Sequence, residues 1–173
     1  MDLQRTSEPQ HQEIEVPTFE HRFVVPASVD DVARFHFATA TFRALTLPAL
    51  ILKIHRQDPM AEGSITEFTL WMGPIPIHWK AEHSDVGHRG FTDTQTSGPM
   101  KTWVHRHRFE SLSDDRTQVL DHIQYEHDSG WRGMRSTLLF SSPALKALFA
   151  WRSRVTRREV AALAKLRNLQ KWS

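Results

Sequence analysis

The sequence contains no cysteine. That excludes disulfides, thiolate metal ligands and a cysteine nucleophile. It also lacks any apolar run near the roughly 20 residues that span a bilayer. Met1 to Val16 is polar, so no secretory leader is expected there. With no disulfide to form, the chain reads as a cytoplasmic protein. Net charge is only +2, too little to argue for a nucleic-acid partner. No Gly-rich phosphate loop, no Gly-X-Ser-X-Gly and no His-Glu-X-X-His occurs, and no segment repeats. No cofactor is expected.

What is present is ordinary in bulk and unusual in one place. The 173 residues, 39% hydrophobic and 24% charged, suit one soluble domain with a full core. Residues 1–17 read as a disordered leader, 18–168 as a single domain and 169–173 as a tail. The alternation Phe19, His21, Phe23, Val25 predicts a strand that Pro26 stops. Ser28, with Asp31 three residues on, predicts a helix cap before Val29, Val32, Phe35 and Ala38. A second short helical turn fits Thr41 to Leu45.

From there the period is two. Strands are expected at 51–58, 64–72, 77–86, 89–97, 101–111 and 117–127, with Met72 to Ile77 as a loop holding two prolines. Seven strands joined by short connections predict an antiparallel sheet. Asp128 to Ser142 reads as a Gly- and Ser-rich loop or broken helix. Pro143 then opens a long helix from Ala144 to about Arg167, whose core face is Leu145, Leu148, Phe149, Val155, Leu163 and Leu166. It is the one large element available to cover the sheet, so the class is α+β, with room for a cavity between sheet and helix.

The unusual place is KTWVHRHRFE, Lys101 to Glu110. Alternation puts Trp103, His105, His107 and Phe109 on one face. A regular turn at SGPM pairs Asp93 with His105 and Phe91 with His107, and the turn SDDR can pair His107 with Asp121 and His105 with Ile123; a bulge at either turn would shift the register by one. Gln95, Val119 and Tyr125 complete the face. Buried aspartates beside buried histidines compensate each other's lost hydration. Three readings compete: a structural cluster, the polar floor of a ligand cavity, or chemistry. His-X-His can hold a metal, yet zinc sites take three or four protein ligands and these aspartates serve better as histidine partners, so no metal is expected. The remaining histidines (21, 36, 55, 78, 83, 88, 122 and 127) read as surface or strand-edge residues.

These motifs resemble the START-like helix-grip (SRPBCC) superfamily, in the ligand-binding branch near polyketide cyclase/dehydrase and coenzyme-Q-binding proteins. The resemblance rests on Phe91-X-Asp93-X-Gln95, Gly98-Pro99, Trp103-X-His105-X-His107-X-Phe109 and Asp121-X-Ile123-X-Tyr125, with Trp79 upstream. It covers about residues 19–160. Two departures stand out: Ile123 where valine is usual, and a polar YEHDSGW where a Pro-Gly-rich turn is common. The resemblance implies a seven-stranded curved antiparallel sheet around a long C-terminal helix, two short helices after strand 1, and a deep apolar cavity.

The expected function is therefore binding of a hydrophobic small molecule: a lipid, isoprenoid quinone or polyketide-like compound. Leu70, Trp79, Phe91, Trp103, Phe109 and Ile123 would form wall. Asp93, Gln95, His105, His107, Asp121 and Tyr125 would orient a polar head. The alternative is a cyclase/dehydratase-type enzyme with His105, His107, Asp93, Asp121 and Tyr125 as its acid–base set. A third reading is peripheral contact of the basic helix and the Gly73 to Ile77 loop with an anionic membrane. Arg152, near the apolar stripe, is either a surface residue or reaches an acidic ligand head.

Overall fold

The structure is a computed structural model and describes residues 16–170. Most of the leader expected at 1–17, and residues 171–173, lie outside the described residues. The elements in chain order are β1 (Thr18–Val25), α1 (Val29–Phe37), α2 (Thr39–Leu45), β2 (Ile51–Gln57), β3 (Ile65–Met72) and β4 (Ile75–Gly87). Then come β5 (Gly90–Ser97), β6 (Thr102–Ser113), β7 (Arg116–Glu126), α3 (Gly130–Leu139) and α4 (Ser142–Gln170). The seven strands form one antiparallel sheet in the order β1-β7-β6-β5-β4-β3-β2. Bulges between Ile54 and Arg56 and between Ser84 and Gly87 interrupt the ladder and bend the sheet.

Local chemistry sets the boundaries. Ser28 caps α1: its Oγ accepts from the Asp31 N–H at 3.3 Å and donates to the Asp31 carboxylate at 2.8 Å. That carboxylate, 2% exposed, also accepts from Arg167 at 2.8 Å, so the end of α4 is tied to the start of α1. Phe23, Val25, Val32, Phe109, Val119, Val155 and Val160 form the main core, where β1, β7 and β6 meet α1 and α4. No helix is long and apolar enough to cross a membrane.

Three expectations are corrected. Met72 to Ile77 is not a loop. β3 runs to Met72, β4 starts at Ile75, and Pro76 sits inside a strand opposite Trp71. Gly73, at φ 59°, takes the left-handed conformation a two-residue hairpin requires. The Gly- and Ser-rich stretch contains a ten-residue helix, α3. The core face of α4 ends at Val160: Leu163 and Leu166 are exposed, because a 29-residue helix outruns the sheet beneath it.

Candidate functional site

Sheet, α1, α2, α4 and the end of α3 border a partly open cavity of about 280 Å³. Most of its wall is apolar, with Phe42, Phe68, Leu70, Trp79, Trp103 and Leu148 among the lining. The aromatic rings hold one another in place: Phe68 stacks on Trp79 at 6.2 Å, and Trp79 meets Trp103 edge-on at 5.4 Å. Its polar lining includes His36, His83, Asp93, His105, His107 and Arg152, with Gln57, Asp58 and several threonines elsewhere on the wall.

Strand alternation and register build the histidine and aspartate part. Asp93 lies opposite His105, Phe91 opposite His107, His107 opposite Asp121 and His105 opposite Ile123. The side chains then link in a row. His83 Nε2 approaches Asp93 Oδ1 at 3.1 Å, and His107 Nε2 donates to Asp93 Oδ2 at 3.3 Å. His107 Nδ1 stands 2.9 Å from Asp121 Oδ1, and His105 Nε2 donates to the same oxygen at 3.1 Å. The result is a His–Asp–His–Asp–His chain across β4, β5, β6 and β7. Gly90 lets it close: at φ 141°, it lies so near β6 that a Cβ would stand 1.9 Å from the His107 carbonyl oxygen.

The charges follow from the contacts. Burial works against the charge on His107, but flanking Asp121 and Asp93 outweigh it and raise its pKa to about 9, so it is imidazolium at neutral pH. Burial likewise opposes ionisation of Asp93 and Asp121, and their histidine partners hold both below the usual carboxylate range. His105 is pushed down to about 4 by burial and by the neighbouring imidazolium, and is neutral. His36 is also pushed to about 4, by burial and His107. Its Nδ1–H donates to the Val32 carbonyl at 2.8 Å, which leaves Nε2 as the basic nitrogen. For His83, burial lowers the pKa and Asp93 more than restores it, a net rise.

Solved structures of other proteins share the fold. An aromatase/cyclase from Streptomyces sp. R1128 superposes with a TM-score of 0.67 at 13% identity, covering 85% of this chain and 94% of that one. A protein from Thermus thermophilus gives 0.64 at 13% identity, over 85% and 99% of the two chains. Norcoclaurine synthase from Thalictrum flavum, in complex with dopamine and hydroxybenzaldehyde, gives 0.58 at 18% identity, over 90% and 95%. The chain has the START-like helix-grip fold. At these identities the likeness concerns the fold alone. No family model matches the sequence, and no curated protein matches it.

Within the helix-grip cavity, the expected residues divide. Leu70, Trp79, Phe91, Asp93, Trp103, His105 and His107 line it. Asp121 is buried behind the two histidines, 5% exposed and outside the lining. Phe109 and Ile123 pack in the two core clusters rather than on the cavity wall. Gln95 turns to the β5–β6 connection, where its amide donates to the Met100 carbonyl at 2.8 Å. Tyr125 packs against Trp103 and His127, away from the lining.

Two histidines expected at the surface belong to the site. His83 is 6% exposed and His36 is 9% exposed. The signal for His83 was present, since Ile77, Trp79, Ala81 and His83 alternate on one face of β4. His36 lies four residues after Val32 on the buried stripe of α1. Ile77 is buried and lines the cavity, and Ile75 is half-buried, so neither isoleucine of the expected apolar loop is fully exposed. Asp93, His105 and His107 each offer a ligand atom within 4.8 Å of the others, close enough to share a metal ion. An ion there would have to displace one of the two ring protons that the His107 imidazolium directs at its carboxylates.

Proposed function

We propose that this protein binds a hydrophobic small molecule between sheet and α4, with the polar end of the ligand against the His–Asp chain. The observation that carries this reading is a partly open, aromatic-lined cavity with a row of histidine and aspartate side chains, in close charge contact, along one part of its wall. Helix-grip neighbours that handle small aromatic molecules support the same reading. The absence of cysteine fits a cytoplasmic location. Native mass spectrometry of the protein from its own host tests it: a co-purifying small molecule, lost on His105→Ala with the fold retained, is the expected result. A ligand-free protein that also binds no apolar fluorophore would sink it.

One observation favours an enzyme of the cyclase/dehydratase type. His36 is neutral, fixed by Val32, and lines the cavity within 6.1 Å of the His107 ring, measured between centroids. A base beside an imidazolium can take a proton from carbon next to a ligand carbonyl while the cation steadies the enolate. Hydrogen–deuterium exchange into 2-tetralone reads that step without knowledge of the true substrate. The expected result is catalysed exchange that His36→Gln abolishes; background exchange in the wild type excludes it.

For peripheral membrane contact we propose a different surface. Trp131, Met134 and Leu138 are exposed on α3, just before the cavity residues Leu139 and Phe140. From Ser129 to Arg158 there is no acidic residue, while Arg135, Lys146, Arg154, Arg157 and Arg158 are exposed. That pairing of apolar face and positive charge fits an anionic bilayer surface. Sedimentation with phosphatidylglycerol vesicles, absent with phosphatidylcholine alone and weakened by Trp131→Ala, is the expected outcome.

A further inference from the structure

Arg152 is the one Lys or Arg side chain among the described residues that line the cavity. Its Nε is buried and has no hydrogen-bond partner, and no carboxylate lies within ion-pair distance of it among the described residues. Its company is the face of Phe149, 5.2 Å from the guanidinium carbon, together with the more distant pull of Asp121 and Asp93. Those two carboxylates are already engaged: Asp93 by His83 and His107, Asp121 by His105 and His107. Three other arginines of α4 have polar partners. Arg157 donates to the Val24 carbonyl at 3.0 Å, Arg158 pairs with Glu159, and Arg167 pairs with Asp31.

A guanidinium keeps its charge under all ordinary conditions, and a half-buried one whose Nε lies buried without a partner is costly. We infer that Arg152 is the receptor for a carboxylate, and that the ligand of the cavity is an amphipathic monocarboxylic acid with an aromatic or medium-length apolar body. This rests on the cavity being a ligand site and adds the chemical class of what enters it. The planar fork of a guanidinium matches a carboxylate through two parallel N–H···O bonds. A phosphate dianion fits less well, because the wall offers no second free cation: His107 is held between its aspartates. The remaining lining, with Phe37, Phe42, Phe68, Trp79 and Phe140, would take the apolar body.

Matched probes decide the point. Binding of 2-naphthylacetic acid, its methyl ester and 2-naphthylethanol is measured by calorimetry at neutral pH, and again with decanoic acid, its methyl ester and decanol. Each acid is expected to bind at least tenfold tighter than its ester and alcohol. In Arg152→Met that preference should fall to within twofold while ester affinity is kept, and Arg152→Lys should retain part of it. The ligand-free Arg152→Met protein should melt at or above the wild-type temperature. Equal affinity for acid and ester, a preference that survives Arg152→Met, or an Arg152→Met protein that melts well below wild type would overturn the inference and leave the cavity reading standing. Failure of all six compounds to bind would overturn both.

Discussion

The two halves of the sheet are used differently. On the side of β1, β7 and β6, side chains meet α1 and α4 directly: Val25, Val32, Val119 and Val160 are all 0% exposed. On the side of β2, β3 and β4 no such closure occurs. β2 contributes no buried side chain, and Phe68, Leu70 and Met72 of β3 face open cavity. One half is a packed interior and the other a container. The polar chain runs along the seam, from His83 on β4 to Asp121 on β7. A single sheet can thus hold a stable fold at one end and keep unfilled volume at the other.

The comparison can be broken most severely at the seam. Asp121→Ala removes the carboxylate shared by His105 and His107 and leaves a buried imidazolium half-paired. A loss of about 3–5 kcal/mol is expected in urea unfolding. Next comes the packed half: Phe109→Ala, at a side chain 1% exposed, should cost ~3–5 kcal/mol by the same measurement.

A third test uses pH. His107 has its folded pKa raised to about 9, so its stabilisation is complete below the ordinary value of 6.5 and is lost as pH rises toward 9. His36 and His105 are lowered to about 4, so the unfolded chain binds more protons than the folded one between 4 and 6.5, and stability rises with pH there. Melting temperature should therefore peak near pH 6.5, and His107→Gln should shrink the alkaline decline to the smaller part that His83 contributes. The smallest effect belongs to the container: Phe68→Ala should cost only about 1 kcal/mol, because its ring borders open volume, while enlarging the space a ligand can fill.

The packed half was the easier to read in advance. Period-two alternation is strict in β5, β6 and β7, which puts His105 and His107 on the face of Asp93 and Asp121; the Asp114-Asp115 turn alone would set His107 opposite His122, and the irregularity between Ser111 and Ser113 shifts the register by one to Asp121. The container was harder. Its wall depends on curvature, which bulges produce without a mark in the residue pattern, so Phe109 and Ile123 were expected at a surface they do not reach. α3 was hidden by Gly130 and Gly133, both poor helix formers. Gly133 is needed there, since a Cβ would stand 1.8 Å from the Asp128 carbonyl oxygen. His36 escaped notice because a histidine on an amphipathic helix is usually solvated, and only the approach of α1 to β6 buries it.

The row of alternating rings and carboxylates has a consequence for how the chain finds its shape. Any of β4 to β7 that paired one residue out of step would turn its histidine or aspartate to the outer face and strand a partner's charge in the interior. Shifted pairings that still bury enough oil to compete are thereby made unstable. The network acts as a proofreading device during folding, accepting one alignment of four strands and rejecting its near neighbours.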